Sequence, residues 1–186
     1  MDYTGSMWEI ELKIRVDNPE DMKIRLGKLG VFGGSYQRQD IYFSQPDASP
    51  PQTAFRLRRD GREAWVTHKF KTLHNGIEQS LETEFLVQPA EAFEKFVHSL
   101  GYAEMIRKEK KGDWWNIGTI KAELSEVPPL GWWLELEALV SEDSPQEKVD
   151  TAKAGLISIL TQLGKGAPDI EERPYTQLLK ENLFRG

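Results

Sequence analysis

No cysteine occurs in the 186 residues, which removes disulfides, thiolate metal sites and cysteine nucleophiles. Histidine is scarce: His68, His74 and His98 show no ligand spacing and read as ordinary structural residues, and no Ser/His/Asp motif accompanies them. No apolar run approaches the roughly 18 residues of a membrane span, and no signal-peptide core is visible. The expectation is therefore a cytoplasmic protein without a membrane partner. A cationic surplus is missing too, with 30 acids against 24 Lys and Arg and a net charge of −6. That argues against a nucleic-acid polymer, whose affinity rests on excess positive charge. It leaves room for a small anion in a locally basic pocket.

What is present suits one soluble globular domain, with 39% hydrophobic and 29% charged residues. The domain is taken as residues 8–183. Residues 1–7, with the polar leader "MDYTGS", are set aside as a disordered tail or an expression remnant. "WEIELKIRV", Trp8 to Val16, alternates strictly between apolar and charged residues and predicts a strand. Asp17–Gly30 predicts a helix, with Asn18 as N-cap and Pro19 in the first turn. "RQDIYFS" (38–44) reads as a short strand and "QPDASPPQ" (45–52) as a loop.

Residues 53–71 carry a hairpin signal around Asp60-Gly61. "GIEQSLETEFLV" is a further strand, and "QPAEAFEKFVHSLGY" an amphipathic helix ended by Gly101. A second hairpin spans 107–127, and Gly131–Val140 is a strand. Helices follow at Pro145–Leu163, capped by Ser144, and at 174–183. Strands with interspersed helices but no βαβ alternation give an α+β domain with mostly antiparallel strands.

Reading one phase from each strand exposes a pattern. It yields Glu9, Glu11, Lys13 and Arg15, then Arg56 and Arg58, Lys69 and Lys71, and Glu82 and Glu84. Lys108 and Lys110, Lys121 and Glu123, and Glu135 and Glu137 follow. Cationic pairs and acidic pairs mostly occupy different strands. Solubilising charge would scatter its signs, and buried charge is costly unless paired or engaged by a ligand. The pattern therefore suggests a sheet curled with its charged face inward. Carboxylates at i and i+2 lie about 6.5–7 Å apart and suit hard cations such as Mg²⁺ or Mn²⁺. Arg and Lys grip phosphate oxygens. Divalent metal plus polyphosphate is the chemistry that needs both clusters.

The residues "EIELK", "FRLRR", "THK", "ETE", "KEK", "LG" followed by "ELE", and "ERPYTQLL" occur in this order. Together they resemble the CYTH family of triphosphate tunnel metalloenzymes, over nearly all of Trp8 to Leu179. The resemblance implies a closed or nearly closed antiparallel barrel of about eight strands, a tunnel open at both ends, with helices outside. It implies Mg²⁺ or Mn²⁺ as cofactor, held by Glu9, Glu11, Glu135 and Glu137, with Glu84 from the mid-chain acidic strand. Glu9, Glu11 and Lys13 would be catalytic, Lys13 helping to orient the nucleophile. Arg56, Arg58, Lys69, Lys108 and Lys110 would grip the triphosphate, with Arg173 folding back toward the tunnel. Ser125 stands where many relatives carry Asp, and a basic residue is missing near Glu82.

Two reactions fit such a grip. Metal-dependent hydrolysis of an inorganic, nucleoside or thiamine triphosphate ranks ahead of cyclisation of ATP to cyclic AMP, because hydrolysis is less demanding. A non-catalytic nucleotide or polyphosphate binder is the reading from another class. A homodimer stays open as a further partnership. Trp133 shares phase with Glu135 and is a candidate to stack on a base, against the simpler reading of Trp114, Trp115, Trp132 and Trp133 as packing residues. The C-terminal helices are packing elements, one of them a candidate lid for a tunnel mouth.

Overall fold

The computed structural model describes residues 7–49 and 52–183. The leader 1–6 and two prolines of the 45–52 loop lie outside them. In chain order the elements are β1 (Met7–Val16), α1 (Pro19–Leu29), β2 (Val31–Ser44), β3 (Thr53–Asp60), β4 (Glu63–His74) and β5 (Ile77–Leu86). Then come α2 (Ala90–Ser99), β6 (Ala103–Ile117), β7 (Ile120–Val127), β8 (Gly131–Ser141), α3 (Gln146–Gln162) and α4 (Tyr175–Leu183). The strands close into one barrel in the order β1-β5-β4-β3-β2-β6-β7-β8. Every pairing is antiparallel. Closure removes the free strand edges on which chains aggregate.

Local chemistry explains most boundaries. The Asn18 side chain accepts from the Asp21 amide at 3.1 Å, capping α1. Gly61, at φ 60°, makes the turn between β3 and β4, where a side chain would be strained. Asn75 and Gly76, both at positive φ, turn β4 into β5. The expected cap of α3 is displaced: Pro145, not Ser144, occupies that position, with no side-chain hydrogen bond. β2 is twice as long as its 38–44 expectation, because Val31–Gln37 also pairs with β6. Its early half carries Gly33 and Gly34 and lacks the alternation that marks a strand. Gly33 is required there, since a Cβ would meet the Trp114 ring at 2.2 Å.

The apolar phases face outward, under helices. Ile10, Leu12 and Ile14 of β1 and Leu134 and Leu136 of β8 pack with Met22 and Leu26 of α1 and Leu156 and Leu160 of α3. Each such fully buried side chain is worth about 1.5–3 kcal/mol relative to exposure. A second core joins Ile41, Phe43, Leu57 and Val66 to Val97 of α2. Arg59 ties that helix down through Glu91 and Glu94. With both hydrophobic sides satisfied outside, the interior is left to the charged phase.

Candidate active site

The barrel encloses a cavity of about 550 Å³. Glu9, Glu11, Lys13, Arg56, Arg58, Lys69, Lys108, Lys110, Glu135 and Glu137 all line it. The inward charged face expected from the strand phases is therefore present, and eleven of the twelve named site residues share one chamber, drawn from six strands. Two of the twelve are placed differently from expectation. The Glu84 carboxylate reaches the cavity but accepts from Thr67 at 2.6 Å and faces Arg56 at 3.7 Å. It sits with the cations. Arg173 is exposed, held by Glu171 at 2.6 Å and Glu181 at 2.9 Å.

One wall is acidic. Glu11 stands directly between Glu78 of β5 and Glu137 of β8, and Glu9 is two residues along the same face. Burial, then the neighbouring Glu9 charge, pushes the Glu11 carboxyl up. The same two causes raise Glu137 to about 7. Removing like charges from water disfavours ionising both. Among the described residues no three acids form a ready metal cage, since lysines are interleaved with them. Lys69 reaches both Glu9, at 2.7 Å, and Glu82. Its ammonium is burdened by burial, but Glu9, Glu11 and Glu82 together hold the proton more tightly than usual.

The donor chemistry nonetheless fits a hard divalent cation. The groups are partly buried oxygen donors, and Glu11 and Glu137 each feel the neighbouring Glu9 charge, which a cation would relieve. Glu135 lies opposite Lys13 in register yet pairs with Lys110, which also holds Glu123 at 2.7 Å. Lys13 is buried, and that burial lowers its pKa below the ordinary lysine value.

The facing wall is cationic and organised by a residue the strand phases did not single out. Asp40 of β2 is fully buried. It accepts from Arg58 at 2.8 and 3.0 Å, lies 3.0 Å from Lys108 and is approached by Arg56 at 3.9 Å. Burial alone would raise its pKa, but Arg58, Lys108 and Arg56 hold it well below the carboxylate range. Arg38, on the same face of β2, bridges Asp60 and Glu123. Arg38, Asp40 and Tyr42 alternate in "RQDIYFS", which puts them on one face, but only the pairing of β2 with β3 and β6 brings Asp40 to its cations.

Trp133 is a packing residue rather than a stacking platform. It is buried and meets the Tyr175 ring edge-on at 5.5 Å. Pro174 and the first turn of α4, through Tyr175 and Thr176, line the cavity. The candidate lid helix thus contributes to the chamber wall.

A β-barrel lined by opposed acidic and cationic rows defines a recognisable class. The CYTH domain model matches residues 7–175, and the chain belongs to that family. It is 27% identical over 175 residues to "Putative adenylate cyclase MJ0240" of Methanocaldococcus jannaschii, covering 92% of this chain and 98% of that one. The PH1012 protein of Pyrococcus horikoshii OT3 superposes with a TM-score of 0.78 at 27% identity, covering 91% of this chain and 98% of the other. A Hippeastrum protein, HpAC1, described as a putative adenylyl cyclase with a dominant triphosphatase activity, shares the fold at 14% identity and a TM-score of 0.59, covering 85% and 88% of the two chains. No helix among the described residues is long and apolar enough to cross a membrane.

Proposed function

We propose that this protein is a divalent-metal-dependent triphosphatase that takes a small triphosphate into its barrel and releases phosphate. One observation carries the reading: an acidic row and a cationic row face each other across a single cavity of about 550 Å³. A pure anion binder has no use for the acidic row.

Glu9, Glu11, Glu135 and Glu137 would hold Mg²⁺ or Mn²⁺, which neutralises phosphate charge and acidifies bound water. Arg56 and Arg58 offer planar forks to phosphate oxygens, and Lys69, Lys108 and Lys110 add point charges. Arg58 is oriented by Asp40 before substrate arrives, so its fork is already aimed when charge grows in phosphoryl transfer. Lys13 follows Glu9 and Glu11 along the same face of β1 and lies opposite Glu135 in register, where its ammonium would help to orient an attacking water. A bond forms from the water oxygen to the terminal phosphorus, the bridging P–O bond breaks, and orthophosphate leaves.

The second reading is cyclisation of ATP, favoured by the name of the M. jannaschii relative. There the ribose 3′-hydroxyl attacks the α-phosphorus and pyrophosphate leaves. Incubation with Mg²⁺ or Mn²⁺ and, separately, tripolyphosphate, ATP and thiamine triphosphate distinguishes the two by product. Orthophosphate supports hydrolysis; cyclic AMP with pyrophosphate replaces it with cyclisation. Affinity without turnover, unaffected by chelator, leaves only a binding module.

A further inference from the structure

We infer that Tyr175, not Arg173, is the residue through which the C-terminal segment touches substrate, its hydroxyl donating a hydrogen bond to a phosphoryl oxygen of the bound triphosphate. The inference rests on the proposed triphosphate site and adds a donor to it.

Three observations converge. The Tyr175 hydroxyl has no hydrogen-bond partner although the residue is only 7% exposed. Buried hydroxyls are normally paired, and an unpaired one costs about 1–3 kcal/mol. The side chain belongs to the turn of α4 that lines the cavity. Its ring lies 4.7 Å from the Lys108 ammonium and 5.8 Å from that of Lys13. The two lysines flank the ring, while the hydroxyl also feels the Glu11 and Glu123 carboxylates; a phosphoryl oxygen accepting from the phenol has both lysines beside it.

The backbone places the phenol deliberately. Ile170 bridges to Ile14, and the Glu171 amide donates to the Lys13 carbonyl at 2.9 Å. The segment entering α4 is therefore strapped to the strand that carries Lys13. Arg173 closes this strap from outside, through Glu171 and Glu181. Trp133 packs edge-on against the ring at 5.5 Å. Arg173 is on this account a positioning residue that acts through Tyr175.

The test is Tyr175→Phe, which deletes the hydroxyl and keeps the ring. The full chain is titrated calorimetrically with inorganic tripolyphosphate in chelator, and KM and kcat for the same compound are measured with Mg²⁺. The expected result is about tenfold weaker binding and a matching rise in KM, in the range of one hydrogen bond to a charged group. The ligand-free melting temperature stays level or rises, because a buried unpaired group has been removed. Affinity and KM within twofold of wild type overturn the inference while leaving the triphosphate site standing. A drop in melting temperature with unchanged affinity also overturns it, in favour of a structural hydroxyl. A wild-type chain that neither binds nor cleaves any triphosphate overturns both.

Discussion

Arg58 engages Asp40 through two nitrogens, at 2.8 and 3.0 Å, inside the barrel. One fully buried carboxylate thereby anchors the middle of the cationic wall, with Lys108 on its second oxygen. Breaking a buried pair from one side leaves an uncompensated charge and costs about 3–5 kcal/mol. Asp40→Asn is expected to lose about that much in denaturant unfolding. Inorganic tripolyphosphate should raise its melting temperature more than that of wild type, since the ligand then supplies the missing negative charge. Equal shifts in the two proteins would separate Asp40 from the anion grip.

The pH profile of the metal-free protein follows from two opposed groups of carboxylates. Glu137 titrates at about 7 in the folded chain and near 4.3 when unfolded. Between those values only the folded state holds the proton, so stability falls as pH rises through this window. Asp40 and Glu123 are held well below their ordinary values. The stability they contribute is complete above about pH 4.3 and is lost as pH falls toward their folded values. Chelated protein should be most stable near about pH 5. Glu137→Gln should flatten the alkaline side alone, as read by melting temperature against pH.

Glu9→Gln and Glu11→Gln are each expected to lower turnover more than about 100-fold, beyond what outer-shell partners of a metal cost. The Glu11 variant should be at least as stable as wild type without metal, because burial and Glu9 already disfavour that charge. Activity and stability would then move in opposite directions. Wild-type rates in both variants would remove the metal assignment.

Arg58→Ala should weaken tripolyphosphate binding by about 10- to 100-fold, the range of a lost charge-assisted pair. Arg173→Ala, which removes an exposed outer tie, should cost less than Tyr175→Phe, with the loss in KM rather than kcat. An Arg173 effect as large as that of Arg58 would bring its guanidinium into the chamber.

Much of this architecture was legible because strand periodicity is local. Glu9, Glu11 and Lys13 alternate with Ile10, Leu12 and Ile14, and a two-residue period fixes which face is charged. That the charged face turns inward followed from the sorting of signs by strand, a regularity that a face in water would not need. The glycines and aromatics opening β2 hid its first half, because Gly33 is there for the Trp114 ring rather than for strand propensity. Asp40 was hidden for another reason. Its importance lies in three partners on β3 and β6, and strand registry between distant segments is not written in either one. Arg173 and Tyr175 are two residues apart, so which of them points inward was decided by the strap from residue 170 to β1.

Lys69 between Glu9 and Glu82, and Lys110 between Glu123 and Glu135, make the barrel interior a closed electrical circuit. A metal taking the glutamates would release the lysines, and a phosphate chain taking the lysines would release the glutamates. Each guest clears the seat of the other. Their affinities would then be reciprocally coupled by a common factor, each guest binding more tightly where the other is already seated.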